Sequence, residues 1–408
     1  VIVIHVVVVA PYFGASMGHC LRCFAALEGV RLGVISQQPA EHLPPEVRER
    51  LAGHYQVSDA LDASQLVGAT RAFVREWGRV DRLEGYLEQL QVPLGEARDA
   101  LGIDGVGGQV ARRFRDKHLM KQTLRAAGLP VARQARITGY ADLKRFADEV
   151  GYPIVVKPVD GAGAKATARV SSEAEIGAAL NMLMPSTSNP AQAEEFVYGD
   201  EHSFETVMLG GKAVWSSSTF YLPGPLAVLE NPWMQYCILL PREVSQPHVE
   251  RFRPVNEAAL RALGLRDGFS HMEWFDRPSG PVVSEVGARP PGANIMLMNG
   301  AAHDVDMWEE WTRLQVFRTW RSPERKYAAG CAFLRGQGRG GRIKALHGVE
   351  AVQERFGHLV IKASLPSVGQ PHSTHYEGDG WAVVRHPDTN VVIEALRALV
   401  SDIRIELG

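Results

Sequence analysis

Two segments past the middle of the chain hold the residues best suited to chemistry, HMEWF at 271–275 and PVVSEVGARPPGAN at 281–294. Glu273 and Glu285 each sit in an apolar run, and the intervening RPSG reads as a turn, so the runs are expected to pair as antiparallel strands. Opposed side chains of such a pair lie on one face. Two carboxylates held there repel unless a cation lies between them, and two carboxylates completed by phosphate oxygens and water are the usual way to hold Mg²⁺. The apolar neighbours Met272, Trp274, Val282, Val283 and Val286 favour this reading over a pair of exposed glutamates. Arg289 follows, just before a stiff Pro-Pro-Gly exit, where it would clamp an anion beside the metal.

Three further segments supply cations and acceptors. Lys157 leaves the strand-like YPIVVKP, and an ammonium at the end of a buried strand is costly unless an anion meets it. The loop after it, VDGAGAKAT, contains Gly161, Gly163 and Lys165, and its small residues would let backbone N–H groups approach phosphate oxygens. An ordinary Gly/Ala hairpin turn explains that loop as well, and no GK[ST] precedes a helix as in a Walker A loop. AEEFVYGDEHSFE at 193–205 offers Glu194, the backbone of Phe196 and Val197, and Glu201 as partners for an adenine edge and a ribose; a solvated acidic edge strand is the plainer reading of that piece alone. In RRFRDKHLMK, Lys117 either reaches a phosphate or belongs to a basic, solvated helix.

Three other patterns carry less. Cys20 and Cys23 form a CxxC, but no second pair is near enough in sequence for a closed zinc site, and two small apolar residues on a helix face explain them. GQGRGG satisfies GxGxxG at Gly336, Gly338 and Gly341, yet RIKAL follows without a helix-length pattern, so strand–turn–strand is expected. His372 and His375 lie in a Pro/Ser/Thr loop and are expected to face solvent.

The elements that must position these residues follow from periodicity. VIVIHVVVVA is almost wholly β-branched, as in a strand buried on both faces of a parallel sheet, and strand–helix alternation continues to about residue 110. It includes a helix through CLRCFAALEG to Gly29, a strand in RLGVIS, helices near 64–77 and 84–99, and a strand in VDRLEG. A single amphipathic helix is expected over ARRFRDKHLMKQTLRAAG, then a helix in TGYADLKRFADEVG and strands in YPIVVKPV and AEEFVYG. HSFETVML and GKAVWSSSTFY read as a hairpin turning on Gly-Gly. A helix over 246–263 and, in the strand-rich tail, helices near 347–356 and 390–402 complete the reading.

Taken in order, RDK, VVKP, EEFVxGxE and the HxE…ExxxR pair resemble the ATP-grasp superfamily over roughly residues 100–320, and most resemble its carboxylate–amine ligase branch, which joins amino acids. The resemblance implies a mixed α/β and α+β architecture. An N-terminal Rossmann-like domain would span 1–110, a lid with its linker helix 111–200, a catalytic core 201–325 and a strand-rich subdomain 326–408. It also implies an ADP-forming ligase that activates a carboxylate as an acyl phosphate; a bicarbonate-dependent carboxylase or a non-catalytic ATP-binding protein are the alternatives. ATP and Mg²⁺ or Mn²⁺ would be the cofactors, with small carboxylates and amines, amino acids above all, as substrates. Lys117, Lys157 and the loop with Gly161, Gly163 and Lys165 would hold phosphates. Glu194, Phe196 and Val197 would meet adenine, Glu201 the ribose, Glu273 and Glu285 the metal, and Arg289 the reacting oxygens. The position two after Glu285, an Asn metal ligand in many relatives, is Gly287 here.

The bulk numbers agree with such an enzyme. The 408 residues are 45% hydrophobic and 22% charged, enough for two or three domains, and a net charge of −2 gives no case for nucleic acid or anionic membrane. Four cysteines imply no disulfide framework, so the cytoplasm is the expected compartment. The apolar opening falls short of the roughly 20 residues a spanning helix needs. It also lacks a signal-peptide flank and cleavage site, and a first residue other than Met suggests that numbering starts inside the natural chain. A homodimer is left open.

Overall fold

The computed structural model describes residues 3–159 and 167–408. Gly161, Gly163 and Lys165 lie outside the described residues. Among the described residues the strands form four sheets. The first is parallel, ordered β3-β2-β1-β4, from β1 (Ile4–Val9), β2 (Val30–Ser36), β3 (Leu51–Gln56) and β4 (Arg82–Glu84). The valine run works as its composition requires: Val6 and Val8 face one core with the helix Ala15–Ala26, while Val7 and Val9 face another with the helices Ala63–Trp77 and Gln91–Leu101. Both faces are covered, so alternation of polar residues would be penalised there.

The second sheet, ordered β5-β8-β6-β7, is antiparallel and small: β5 (Gln134–Ile137), β6 (Ile154–Pro158), β7 (Ala168–Val170) and β8 (Ala191–Glu195). Its apolar face packs on the helices Tyr140–Val150 and Ile176–Leu183. The third and largest has eight strands in the order β13-β12-β9-β10-β11-β14-β18-β17. These are β9 (Asp200–Leu209), β10 (Lys212–Leu222), β11 (Tyr236–Leu240), β12 (Gly268–Asp276), β13 (Val282–Gly287), β14 (Ala328–Leu334), β17 (Val360–Ser364) and β18 (Gly380–His386). β15 (Gly336–Gln337) and β16 (Ile343–His347) flank β19 (Arg404–Leu407) in the fourth. The segment from 326 onward thus feeds three strands into the same sheet that carries the two glutamates.

Several sequence expectations change in detail. Gly210 and Gly211, at φ 56° and 78°, make the expected turn between β9 and β10, a conformation that costs glycine little. The first helix ends at Ala26 rather than Gly29, and the one expected from residue 84 begins at Gln91, after a 3₁₀ turn at Glu88–Leu90. β3 was not anticipated, because LAGHYQ offers few β-branched residues. AEEFVYG is strand only to Glu195, and residues 196–199 cross from the small sheet to the large one. Gly199 is required at that crossing: a Cβ there would lie 2.5 Å from the Asp276 carbonyl oxygen. His372 is not free in solvent but bonds the buried Asp379 through Nδ1 at 3.0 Å.

The expected linker helix is two helices, Gly108–Arg115 and Lys117–Ala126, broken at Asp116. Asp116 is extended (φ −86°, ψ 105°), and its Oδ1 accepts from the amides of His118 at 2.9 Å and Leu119 at 3.0 Å. That is an N-cap, satisfying donors that a helix start leaves orphaned. It sets the direction in which Lys117 and Lys121 leave the next helix, and the Lys117 amide is tied to the Val159 carbonyl at 3.3 Å, just past β6. Asp116→Ala is therefore expected to cost about 1 kcal/mol of stability. Chemical denaturation checks this, and an unchanged midpoint would remove the cap from the account.

Candidate active site

One face of the large sheet collects the polar residues of three neighbouring strands. Glu273 on β12 stands directly opposite Glu285 on β13 and opposite Ser203 on β9. His271 opposes Glu205 and Gly287, and Glu201 opposes Phe275. Opposed residues share a face, so Glu201, Ser203, Glu205, His271, Glu273, Glu285 and Gly287 line the same surface. A bulge that skips Ser284 separates the Glu273–Glu285 pair from the Trp274–Val283 pair. The other face is fixed by packing: Met272, Trp274, Val283 and Val286 are fully buried against the helix Pro247–Leu263, with Phe252 stacked on Trp274 at 4.0 Å between ring centroids. Because the side-chain period is two, that apolar anchoring leaves the glutamates no choice of face.

Three lysines approach from the small sheet and the capped helix. Lys117 Nζ lies 2.8 Å from Glu285 Oε1; Lys121 and Lys157 converge on Glu194 Oε1 at 2.6 and 2.9 Å. Lys117, Lys121 and Glu194 are all buried, and Gln192 also donates to Glu194. Burial would raise the Glu194 carboxyl, but the two ammoniums outweigh it and hold the group down at about 2. Burial drives Lys121 down to about 8, whereas Lys157, equally desolvated, is held above its ordinary value by Glu194 and Glu285.

The large-sheet carboxylates lean the other way. Burial, then the charges of Glu273 and Glu285, push the Glu201 carboxyl up to about 8. His271 is desolvated, yet its bonds to Glu205 (Nδ1 to Oε1, 2.8 Å) and its proximity to Glu273 (3.7 Å) raise it to about 9, an imidazolium between two carboxylates. Glu273 is lowered despite its own burial, by His271 first and then by Lys157 and Lys117.

Arg289 leaves the end of β13 and meets Glu88, at the 3₁₀ turn after the last strand of the parallel sheet; its Nη1 donates to the Pro290 carbonyl at 2.8 Å. Arg115 stands 3.7 Å from the same carboxylate. Gly287 lies beneath this contact: a Cβ there would sit 3.7 Å from Glu88 Oε2 and 3.5 Å from Arg289 Cγ. The expected anion clamp is thus held by a carboxylate from the N-terminal sheet, poised over the position that Gly287 leaves bare.

Of the residues singled out in the sequence, Lys117, Lys157, Glu194, Glu201, Glu273 and Glu285 converge. Phe196 and Val197 lie in the crossing from β8 to β9, with Tyr198 edge-on to Phe196 at 4.8 Å and Arg169 over its ring at 5.3 Å. His271 belongs to the HxE motif but had no assigned role, and Lys121, Glu205 and Glu88 were not anticipated. Lys121 had a signal, four residues after Lys117 on one helix face, and His271 lies two before Glu273 in a strand. Glu205 and Glu88 had none, since their partners are 66 and 201 residues away.

The comparisons with known proteins bear on this arrangement. The family described as "Carbamoyl-phosphate synthase L chain, ATP binding domain" matches residues 116–202, from the helix cap through Glu201. The chain is 29% identical to the uncharacterized protein y4rH of Sinorhizobium fredii (strain NBRC 101917 / NGR234) over 49% of its own length, spanning 41% of that protein. It is 22% identical to the L-arginine-specific L-amino acid ligase of Bacillus subtilis over 76% of each chain. Its fold superposes on the crystal structure of an L-amino acid ligase from Bacillus licheniformis with a TM-score of 0.79, at 18% identity and over 99% of both chains. A parallel sheet, a small antiparallel sheet and a large antiparallel sheet in this order match an ATP-grasp fold. The chain has this fold and is similar in sequence and in structure to L-amino acid ligases. No helix among the described residues is long and apolar enough to cross a membrane.

The raised groups fix the sign of a pH effect. A carboxyl raised from 4.5 to about 8 contributes stability that is complete below 4.5 and lost as the pH rises through 8; an imidazole raised from 6.5 to about 9 loses its contribution between those values. The metal- and nucleotide-free chain should therefore melt at a lower temperature at pH 9 than at pH 6.5, and Glu201→Gln should flatten that slope. Parallel thermal melts of the two proteins decide it; equal slopes would place Glu201 in an ordinary environment.

Proposed function

We propose that the protein is an ATP-dependent carboxylate–amine ligase acting on amino acids. The observation that carries this reading is the direct opposition of Glu273 and Glu285 within reach of Lys117 and Lys157, on a sheet of ATP-grasp topology. The residues fit both ATP and a divalent cation. Glu273 and Glu285 present two carboxylates on one face, and Lys117 against Glu285 shows that the pair already draws positive charge. Glu273 and Glu285 would hold Mg²⁺ or Mn²⁺, which when bound neutralises phosphate charge. Lys117 and Lys157 would bind phosphate oxygens, with Gly161, Gly163 and Lys165 as further phosphate contacts. Glu194, Phe196 and Val197 would meet the adenine, and Glu201 the ribose.

The chemistry runs in two steps. An oxygen of the substrate carboxylate attacks the γ-phosphorus of ATP, the bond to the β-phosphate oxygen breaks, and ADP and an acyl phosphate result. The amine nitrogen then attacks the acyl carbon, phosphate leaves, and the nitrogen gives up a proton as the amide forms. Phosphoryl transfer of this kind asks the protein for alignment and charge neutralisation more than for a covalent group. Lys157 and Arg289 would supply positive charge to the reacting groups, and Glu88 holds the guanidinium. Arg289 would also stabilise the oxyanion formed when the amine attacks.

Phosphate release from ATP with Mg²⁺ and pairwise pools of amino acids and small carboxylic acids tests the reading, with mass spectrometry of the condensed product. Release that requires both a carboxylate and an amine is expected. Release on bicarbonate alone would support a carboxylase, and nucleotide binding without release across the panel a non-catalytic role. Arg289→Ala should bind ATP nearly as the parent does and lose on the order of 10²–10³ in ligation rate. Unchanged ADP release by that variant would overturn its assignment.

A further inference from the structure

The CxxC pattern at Cys20 and Cys23 finds partners that the sequence does not reveal. His19 and Cys23 are four residues apart and share a face of the helix Ala15–Ala26. Asp306, 287 residues along the chain from His19, caps the helix Met307–Phe317 with Oδ1, which accepts from the Trp308 amide at 2.8 Å. Its other oxygen, Oδ2, lies 2.7 Å from His19 Nε2, and Cys23 Sγ is 3.9 Å from the same nitrogen. The three ligand atoms all fall within 4.8 Å of one another. Cys20 is fully buried in the core beside Leu21 and Phe24 and takes no part.

Two ordinary explanations meet difficulties. A Cys–His–Asp catalytic set needs the acid on one ring nitrogen and the thiol on the other, so that the imidazole can pass a proton between them. Here both meet Nε2. A simple His–Asp ion pair accounts for two of the residues but not for a buried sulfur directed at the same point. Convergence of an imidazole nitrogen, a carboxylate oxygen and a sulfur on one point is what a metal ion requires.

We propose that His19, Cys23 and Asp306 form a zinc site that ties the N-terminal parallel-sheet unit to the helix following the catalytic strands. Bonds of about 2.0 Å to nitrogen and oxygen and about 2.3 Å to sulfur, at tetrahedral angles, place N and O about 3.3 Å apart and N and S about 3.5 Å apart. The present separations of 2.7 and 3.9 Å differ from these by a few tenths of an ångström in opposite directions, and the carboxylate oxygen and sulfur, within 4.8 Å, would close further. The mixed nitrogen, sulfur and oxygen set suits zinc and not magnesium, which prefers oxygen ligands alone. His19 and Asp306 are 41% and 32% exposed at their side chains, so the fourth position opens to water. The site is separate from the glutamate pair, and the inference stands whether or not the ligase reading does.

The experiment uses the full chain, stripped with a chelator and then titrated with Zn²⁺ and with Co²⁺ as a spectroscopic probe. About one equivalent of zinc should survive gel filtration and raise the melting temperature, and the cobalt form should show a near-ultraviolet thiolate charge-transfer band. Cys23→Ser should abolish that band, and Cys23→Ser and His19→Ala should each weaken metal binding at least about tenfold. Cys20→Ser and Glu285→Gln should retain both properties. Should Cys23→Ser fail to fold, His19→Ala at its partly exposed position carries the comparison. No retained zinc, no charge-transfer band, or binding that is lost only in Glu285→Gln would overturn the proposal.

Discussion

The cleft depends on a balance of buried charge between two sheets. Removing an ammonium or a carboxylate from water costs several kcal/mol, and the cost is recovered only where an opposite charge is held close with good geometry. Lys121 and Lys157 meet that condition at Glu194, and Lys117 meets it at Glu285. These contacts join the small sheet, the capped helix and the large sheet into one unit. Glu201 is the exception: burial and the charges of Glu273 and Glu285 outweigh Lys157 and raise its carboxyl to about 8. Buried lysines and carboxylates crowded into one cleft suit ligands carrying both signs of charge, and a metal–nucleotide complex is such a ligand.

The scaffold explains why the balance survives folding. On β12 and β13 the alternation of Met272, Trp274, Val283 and Val286 with the polar residues buries one face completely, and a one-residue slip would drive Glu273 into the Phe252–Trp274 stack. The Ser284 bulge bends β13 just before Glu285 and re-aims the strand toward Arg289. Arg289 is in turn held by Glu88 from beyond β4. The N-terminal sheet thus reaches the site with a carboxylate at the end of its strands, where open parallel sheets commonly place functional groups.

How much of this was legible depended on distance along the chain. Glu273 and Glu285 are on neighbouring strands joined by a short turn, so their opposition followed from period and turn chemistry alone. The Gly-Gly hairpin was legible for the same reason. The break at Asp116 was not, because the hydrophobic period runs on across it; RDK reads as one basic helix until the Asp116 side chain is seen capping the second. His271–Glu205 depends on β12 adding beside β9 across an intervening hairpin and helix, and Glu88–Arg289 and His19–Asp306 on the docking of the first sheet against residues of the last third. No local pattern encodes contacts 201 and 287 residues apart. The CxxC was accordingly read as two helix-face residues, which holds for Cys20 and leaves out the partners of Cys23.

In the proposed ligation a substrate carboxylate attacks phosphorus directly. Ligation with an amino acid carrying ¹⁸O in its carboxylate, followed by mass analysis of the released phosphate, tests it most directly. Transfer of one labelled oxygen from carboxylate to phosphate at each turnover is the predicted result. Phosphate free of label, with the amide formed all the same, would contradict the account.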